Sequence, residues 1–419
     1  MVFDSMDLYL LAFALPMILN EWGLTTGSAG WITSAAMWGM IVGAYGWGYL
    51  SDRLGRRLCL QSTILIYAIF TGLCALALGP ISLFIARFLT GTGLGGMVPV
   101  DYAVVAEFVP AKHRGRFLAC AVTIWPMGGL IGAFVALNLT EVFGWQVLFV
   151  VGALPALMVF IIRRWIPESS RFLLSTNRPE EAEKVVWFME ERSGITDHKP
   201  LEAPEDGDFS IYKDNPPSFF ELFKKQFIVR TIVVWGVWFA HCVPYYAVGL
   251  WLPTLMTKYF GIERATTFKI MMLVVCVGIV GRACCMLLIE KAGRKALLIV
   301  YSLCGAVCMC IYPQAGDTTQ LIIIACCASF FYEGIWCAIV PYTAENYPTH
   351  IRSTASGAAS AAGRWAAVVG PIFVGYALNL NSLGLLFYTF AVCMVILAIL
   401  VYVLGRETAG KSLEELGNN

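Results

Sequence analysis

The amino-acid sequence predicts an all-α membrane protein with twelve transmembrane helices, arranged as two parallel, pseudo-symmetric bundles of six. Three observations support this fold class. Of the 419 residues, 58% are apolar and only 14% are charged, apolar runs of membrane-spanning length recur along the chain, and two charged motifs are repeated at one spacing. A soluble domain is roughly half apolar and one-quarter charged, so a soluble multidomain enzyme is excluded. The balance of 29 basic against 28 acidic residues excludes a nucleic-acid-binding protein.

Each predicted span is an apolar run bounded by charged or turn-forming residues. The first run begins almost at Met1 and carries Asp4 and Asp7 where a signal peptide would be basic or apolar. We therefore predict a membrane span there and expect a short segment to precede it. A transmembrane helix needs about 20 mostly apolar residues, and the predicted spans are 2–21, 29–50, 58–78, 81–107, 117–138, 145–162, 229–256, 267–289, 295–313, 319–343, 354–377 and 383–404.

Lysine and arginine are concentrated in alternate connections between the spans. With both termini in the cytoplasm, 23 of the 29 basic residues are cytoplasmic, Lys258, Arg264 and Lys269 are outside, and the other three lie within spans. This asymmetry follows the positive-inside rule. We therefore predict an N-terminal bundle over 1–162, a cytoplasmic linker with short helices over 163–228, a C-terminal bundle over 229–404 and a cytoplasmic tail over 405–419.

The fourteen cysteines do not form a metal-binding pattern. Most lie inside apolar runs, and no Cys-x-x-Cys pair has a matching pair or a histidine pair at zinc-binding spacing. Buried free thiols behave as small apolar side chains. We expect no metal, cofactor or disulfide, and, because no nucleophile or phosphate-binding loop is evident, no enzymatic activity.

A glycine-rich stretch in the fourth span matches a nucleotide-binding pattern. Gly91, Gly93 and Gly96 have the Gly-x-Gly-x-x-Gly spacing, but they lie within an apolar run that has no strand before it. Small residues at helical spacing allow two membrane helices to approach closely. The stretch therefore predicts a helix–helix contact.

Two charged motifs recur at a common offset of 238 residues. The segment SDRLGRR at 51–57 recurs as IEKAGRK at 289–295, and AEFVPAKHRG at 106–115 recurs as AENYPTHIRS at 344–353. Two motifs that share one offset indicate an internal duplication. Because each copy holds six spans, both have the same orientation and are related by an axis along the membrane normal.

These motifs resemble those of the major facilitator superfamily. The EFVPAKHRGR loop, PESSRFL after the sixth span and ETAGKSLEEL at the end are similar to its sugar-porter and organic-ion branches. More narrowly, FDSMD at 3–7, WFAHCVPYYAVGLWLP at 238–253 and PYTAENYPTHIRSTASG at 341–357 resemble the bacterial niacin transporters, close to the aromatic acid:proton symporters and the organic anion and cation carriers. The resemblance covers essentially the whole chain.

The repeated charged motifs are predicted to gate the cytoplasmic end of the molecule. Acidic and basic side chains at neighbouring helix ends can pair across the seam between the bundles, whereas charges that only set topology need no acidic members or repeated glycine. The predicted gate residues are Asp52, Arg56, Glu107, Arg114, Glu290, Arg294, Glu345 and Arg352.

Ionisable residues within the spans are candidate functional groups, because a charge in the membrane interior is costly. The resemblance implies that Asp7 and Arg87 form an acid–arginine pair linked to proton coupling, with Asp4 and Glu333 as further candidates. Protonation would release the arginine from the acid. A permanent structural ion pair in a carrier that needs no proton remains the alternative.

Arg364 is the principal candidate for substrate contact. Its guanidinium can bind a planar carboxylate through two hydrogen bonds, and the resemblance implies that a basic residue at this position accompanies anionic substrates. The alternative is an internal ion pair with Glu333. Aromatic side chains suit a flat aromatic ligand, and Pro244 frees a backbone carbonyl beside two of them. The further candidates are Trp125, Trp238, His241, Tyr245, Tyr246, Phe331, Tyr332 and Trp336.

Together these features predict a carrier that imports a small aromatic monocarboxylate, nicotinate above all, by alternating access. We expect a monomer in the bacterial inner membrane that is coupled to protons if the Asp7–Arg87 pair switches. A carrier of benzoate-like acids, organic cations or sugars is one alternative, although a sugar site would need more Gln and Asn. A sensor that keeps the fold without transport is another.

Overall fold

The computed structural model describes residues 2–108, 123–165, 167–176, 178–192, 219–380 and 382–408, and no β-strand occurs within these ranges. Fifteen α-helices form this part of the chain. Their bounds are α1 Val2–Glu21, α2 Thr26–Leu54, α3 Arg56–Cys74, α4 Pro80–Phe108, α5 Met127–Phe143, α6 Gln146–Gly152, α7 Met158–Trp165, α8 Ser170–Ser175, α9 Pro179–Arg192, α10 Ile228–Lys258, α11 Arg264–Ala292, α12 Arg294–Ile311, α13 Thr318–Glu345, α14 Thr349–Asn379 and α15 Leu383–Leu404.

The long helices follow the predicted spans closely. Within the described ranges, nine helices are long and apolar enough to cross a membrane; one of these combines α6 and α7 through a 3₁₀ turn at Leu154–Leu157. The fifth predicted span, 117–138, falls partly outside the described residues, and α5 is its described part. The short helices α8 and α9 lie in the predicted linker, and Leu173, Ala182 and Val185 pack together between them.

Helices pack first within each half of the chain and then across a seam. In the N-terminal half α2 packs on α4 and α1 on α5, while in the C-terminal half α11 packs on α13 and α10 on α14. Three pairs cross the seam: α2 with α14, α5 with α11, and α1 with α10. Because α1 and α10 begin the two repeats, this seam brings equivalent helices together near the centre of the molecule.

Glycines permit the close crossing of α2 and α4. A methyl group at Gly91 would overlap the carbonyl oxygen of Ala36, and one at Gly39 would overlap that of Phe88. The predicted role of the glycine-rich stretch in helix packing is therefore confirmed. Backbones this close gain dispersion contacts that larger side chains would prevent.

Gly91→Ala is expected to lower the stability of the fold by about 1–3 kcal/mol, because overpacking forces the helices apart. The matched control is Gly46→Ala on α2, where an added methyl meets open space. Thermal unfolding of the purified protein, followed by tryptophan fluorescence, measures both variants. Equal unfolding temperatures for the two would contradict the packing assignment.

Candidate substrate chamber and ion pairs

Arg364 lies at the seam between the two halves. It belongs to α14, and its Nη1 donates a hydrogen bond to the carbonyl oxygen of Met40 on α2 at 3.5 Å. Within the part of the chain that the structure describes, no carboxylate forms a salt bridge with this guanidinium. Tyr246 of α10 and Tyr45 of α2 are within electrostatic range of it. Arg364 is therefore half-buried with a positive charge that no acid offsets.

The alternative pairing of Arg364 with Glu333 is wrong in this structure. Glu333 accepts instead from Arg282 of α11, with Nε to Oε2 at 2.6 Å and Nη2 to Oε2 at 2.5 Å. The hydroxyl of Tyr245 donates to the other carboxylate oxygen at 2.9 Å. Arg282 and Glu333 are 2% and 6% exposed, so this is a buried ion pair between neighbouring helices of the C-terminal half.

Aromatic side chains near Arg364 form one wall of the seam. A methyl group at Gly363, the residue before Arg364, would contact the ring of Trp238. Trp238 packs on Trp336 with ring centroids 5.5 Å apart, and Trp336 packs on Tyr245 at 5.4 Å. These rings and Tyr246 are all half-buried, so each has a surface that a ligand could cover.

The N-terminal half contributes rings from α1 and from the segment before α5. Tyr9 of α1 contacts Trp125 with centroids 6.2 Å apart, and Ser5 donates a hydrogen bond to the backbone carbonyl of Trp125. Tyr9 is also within electrostatic range of Glu333. Trp125 is half-buried and lies across the seam from the rings of α10.

Three other predicted substrate residues lie behind this wall. His241 is 0% exposed and packs between Tyr245 and Trp336, at 5.5 and 5.1 Å. Tyr332 is 5% exposed and lies on the far side of His241. Phe331 contacts Tyr301 of α12 with centroids 5.5 Å apart. The structure therefore places these three residues behind the lining side chains or on another face of α13.

Asp7 and Arg87 form the buried acid–arginine pair of the N-terminal half. Arg87 Nη2 lies 3.0 Å from Asp7 Oδ2, and Thr71 donates to Asp7 Oδ1 at 2.6 Å. Both charged residues are 0% exposed. Asp4, one turn earlier on α1, is 5% exposed. All the printed partners of the pair belong to the N-terminal half, so this pair is sealed away from the seam.

The described gate residues bond within their own half. Arg294 Nη2 lies 2.9 Å from Glu290 and 3.1 Å from Glu345. Arg352 donates to the carbonyl of Ala344 at 3.0 Å, and Arg56 donates to that of Ser51 at 2.6 Å. Asp52 and Glu107 have no described side chain, and Arg114 lies outside the described residues. The predicted seam-crossing pairs are therefore not formed by the described gate residues in this conformation.

Two further glutamates complete the repeated motifs and were not predicted. Glu168 accepts hydrogen bonds from the backbone N–H of Arg56 and Arg57 at 2.8 and 3.1 Å. Glu407 accepts equivalent bonds from Arg294 and Lys295 at 3.0 and 3.1 Å. Each carboxylate satisfies free N–H groups at the start of α3 or α12 and meets the positive end of the helix dipole.

Positive φ values at two glycines make this arrangement possible. Gly55 and Gly293 have φ of 95° and 86°, and a methyl group at either would lie 2.5 Å from a carboxylate oxygen of the adjacent glutamate. The repeated glycine in the motif is therefore needed for the sharp turn and for the approach of the glutamate. The pattern Pro-Glu-Ser at 167–169 and Arg-Glu-Thr at 406–408 was the available sequence signal.

The seam is closed along the first half of α2 and open beyond it. Thr26 donates to Asn379 Oδ1 of α14 at 2.5 Å, and Trp38 packs on Trp365 with centroids 5.3 Å apart. Past Met40, Tyr45 is 68% exposed. The space beside Arg364 therefore opens towards the end of α2. We call this space, lined by Arg364, Tyr245, Tyr246, Trp238, Trp336 and Trp125, the chamber.

A disulfide between Thr26→Cys and Asn379→Cys is expected to arrest transport, because it would hold this end of the seam closed. Uptake of labelled substrate should fall at least about tenfold on oxidation and recover with reductant, since a carrier must visit both states to turn over. Each single cysteine variant is the control for the native thiols. Undiminished uptake by the oxidised double variant would show that this contact does not open during transport.

A separate cavity of about 700 Å³ lies at the closed end of the seam. It is formed where α1 and α10 end, and its lining includes charged residues from both halves. It is distinct from the chamber, since none of the chamber residues lines it. The lining residues are Pro16, Met17, Asn20, Glu21, Thr140, Gly144, Trp145, Gln146, Thr257, Lys258, Ile262, Glu263 and Arg264.

Comparison with known proteins gives a consistent result for the sequence. Residues 11–419 match the family described as sugar (and other) transporter. The niacin transporter NiaP of Acinetobacter baylyi is 33% identical over 417 residues, which cover 99% of this chain and 94% of that protein. The putative niacin/nicotinamide transporter NiaP of Bacillus subtilis is 30% identical, with 99% and 95% covered. The benzoate transport protein of A. baylyi is 27% identical, with 91% and 82% covered.

The solved structures extend this result to the fold. The xylose transporter XylE from E. coli, in an inward-open conformation, superimposes with a TM-score of 0.76 at 19% identity, covering 99% of this chain and 97% of that one. This likeness confirms the predicted twelve-helix fold. The chain therefore belongs to the sugar (and other) transporter family of the major facilitator superfamily, and it is a multi-pass membrane transporter.

Proposed function

We propose that this transporter imports a small aromatic monocarboxylate, most closely nicotinate, by alternating access across the bacterial inner membrane. The chain acts as a monomer with both termini in the cytoplasm, so the open end of the seam faces inward. Two relatives of at least 30% identity are described as niacin or niacin/nicotinamide transporters, and the basic residues of the connections favour this orientation.

The observation that carries the proposal is the unmatched charge of Arg364. A guanidinium at membrane depth is costly unless an anion or water accompanies it, and its hydrogen bond within the described part of the chain is a long one to the Met40 carbonyl. A carboxylate in the chamber would supply the anion and accept two hydrogen bonds. The substrate therefore carries one negative charge.

The aromatic wall of the chamber supports a flat ring on that carboxylate. Trp238, Trp336, Tyr245 and Tyr246 are half-buried in this conformation, and a pyridine or benzene ring would gain offset-stacked or edge-to-face contacts with them. Such a surface favours aromatic over aliphatic acids. The size and charge of nicotinate match this combination of one guanidinium and several rings.

Alternating access requires the described gate motifs to exchange partners. In the inward-facing form Arg294 stays with Glu290 and Glu345 inside its half. When the inner end closes, these groups and their repeats at Asp52, Arg56, Glu107, Arg114 and Arg352 would come together across the seam. Proton coupling would use one of the buried acid–arginine pairs, Asp7 with Arg87 or Glu333 with Arg282; Asp4 lies beside the first.

Counterflow in proteoliposomes tests the proposed function. Vesicles preloaded with unlabelled nicotinate should transiently accumulate labelled nicotinate, and empty vesicles should not. Nicotinamide has the same shape without the charge, so it should compete poorly. Vesicles without protein give the background. Absence of counterflow would favour a sensor or a different cargo, and strong competition by nicotinamide would remove the role assigned to the carboxylate.

Benzoate-like acids are the second candidate substrate, favoured by the likeness to the benzoate transport protein. They present the same carboxylate and a ring of the same size, but no ring nitrogen. Competition between benzoate and labelled nicotinate separates the two cases. A lower half-inhibitory concentration for benzoate than for nicotinate would make benzoate-like acids the preferred cargo.

A further inference from the structure

Glu333 is the buried acid that contacts the chamber wall. Its Oε1 accepts from the hydroxyl of Tyr245 at 2.9 Å, and Tyr245 is itself half-buried and lies in the chamber lining. The opposite side of the carboxylate holds Arg282 at 2.5 Å. One hydroxyl therefore separates the Glu333–Arg282 pair from the space in which a substrate would bind.

The Asp7–Arg87 pair has no such connection. Its carboxylate is held by Thr71 and Arg87, both from the N-terminal half, and both charged residues are fully buried. Tyr245 occupies the position in the second repeat that Asp7 occupies in the first, at the offset of 238. The second repeat has therefore replaced the acid on its first helix by a hydroxyl that contacts an acid on α13.

We propose that Glu333, reached through the Tyr245 hydroxyl and held by Arg282, is the group that binds the proton transported with the substrate. This inference rests on the proposed function, because it assigns the proton site to the same chamber. Arg282 and Tyr245 act as positioning residues: the guanidinium holds the carboxylate, and the hydroxyl connects it to the chamber.

The proton transfer itself is a relay between oxygens. A hydronium ion in the chamber gives a proton to the Tyr245 oxygen while the hydroxyl proton of Tyr245 passes to Glu333 Oε1. The tyrosine is neutral before and after, the hydronium becomes water, and Glu333 becomes an uncharged acid. No other group has to change its charge.

The charges around the chamber make proton and anion binding mutually favourable. Arg282, Arg364 and an ionised Glu333 sum to one positive charge, which the substrate carboxylate neutralises. Protonation of Glu333 then leaves Arg282 without its anion and restores one positive charge, which attracts the carboxylate more strongly. By linkage, each ligand raises the affinity for the other by the same factor.

The other ionisable groups around Glu333 do not supply a competing carboxylate within the described residues. Tyr9 of α1 and Tyr246 of α10 are within electrostatic range of it, and Cys337 lies one turn along α13. The groups beyond this shell are His241 next to Arg282, Arg364 next to Tyr246, and Tyr301 of α12 against Gly334.

Proton uptake on substrate binding tests the inference without transport. Purified protein in a weakly buffered solution is mixed with nicotinate, and a pH indicator reports the protons taken up. The wild-type protein should take up protons, and its Kd for nicotinate should rise with pH by up to about tenfold per unit. Glu333→Gln should take up none and have a Kd independent of pH. Glu263→Gln, the same change at an exposed acid outside the chamber, should match the wild type.

Two further variants keep the test decisive. If Glu333→Gln leaves too much uncompensated charge to fold, the pair Arg282→Gln with Glu333→Gln removes both charges and should likewise lose proton uptake. If Asp7→Asn abolishes proton uptake and Glu333→Gln retains it, the inference is overturned while nicotinate binding still supports the proposed function. Failure of the wild-type protein to bind nicotinate would overturn both.

Discussion

Arg364→Ala should weaken nicotinate binding by about 100-fold, which corresponds to about 2.7 kcal/mol. The substitution removes the half-buried guanidinium beside the chamber and with it the two charge-assisted hydrogen bonds expected for the substrate carboxylate, each of which is stronger than a neutral hydrogen bond. The seam itself should persist, because Arg364 contributes a single 3.5 Å hydrogen bond to it.

Calorimetric titration of the purified variant with nicotinate measures this effect, and nicotinamide separates charge from shape. Nicotinamide, being neutral, should bind the wild type and Arg364→Ala with affinities that differ by less than about threefold. Arg364→Lys keeps the charge without the planar fork and should fall between the two. Arg264→Ala, at an exposed arginine near the closed end of the seam, is the matched control. Equal loss for nicotinate and nicotinamide would assign Arg364 to packing.

The sequence carried enough information to predict the fold. The predicted spans differ from the helix bounds by a few residues at most of their ends, as at 229–256 against Ile228–Lys258. Such agreement is expected because the membrane requires one length of apolar helix, with backbone hydrogen bonds satisfied internally. The repeat at offset 238 is visible again in the turns at Gly55 and Gly293.

The side chains that line the chamber were harder to predict, because neighbouring residues of a buried helix face different partners. Tyr245 and Trp336 lie in the lining, whereas His241 and Tyr332, each one turn before them, are buried behind it. All four are aromatic residues in apolar spans, so composition does not separate them. Which side of the helix faces the seam depends on the crossing of α10 and α13, and that crossing is set by the tertiary packing of the whole bundle.

Partners distant in sequence were also beyond prediction from motifs. Glu333 pairs with Arg282, 51 residues away, rather than with Arg364, and nothing in the spacing of these residues distinguishes the two arginines. Glu168 binds the backbone of Arg56 from 112 residues away. Its carboxylate satisfies N–H groups that every helix start leaves free, so the need for such a cap could be predicted, but not the residue that supplies it.

Arg87→Ala should destabilise the protein by about 3–5 kcal/mol, because it leaves the buried Asp7 carboxylate without its charge partner. The same substitution also removes the guanidinium that lies 5.8 Å from the ring centroid of Phe149. Thr71 can donate only one hydrogen bond to the remaining acid. Heat unfolding followed by tryptophan fluorescence should show a large fall in midpoint, and a change below about 1 kcal/mol would mean that water or another group reaches Asp7.

The double variant Asp7→Leu with Arg87→Leu distinguishes a structural pair from a coupling pair. Replacing both members of a buried ion pair by apolar residues is often neutral or stabilising, so most of the lost stability should return. If Glu333 binds the transported proton, this variant should also accumulate nicotinate against its gradient when a pH difference is imposed. If the variant is stable and exchanges nicotinate but cannot accumulate it, the Asp7–Arg87 pair takes part in coupling, since the gradient would drive uptake only through a group that the variant lacks.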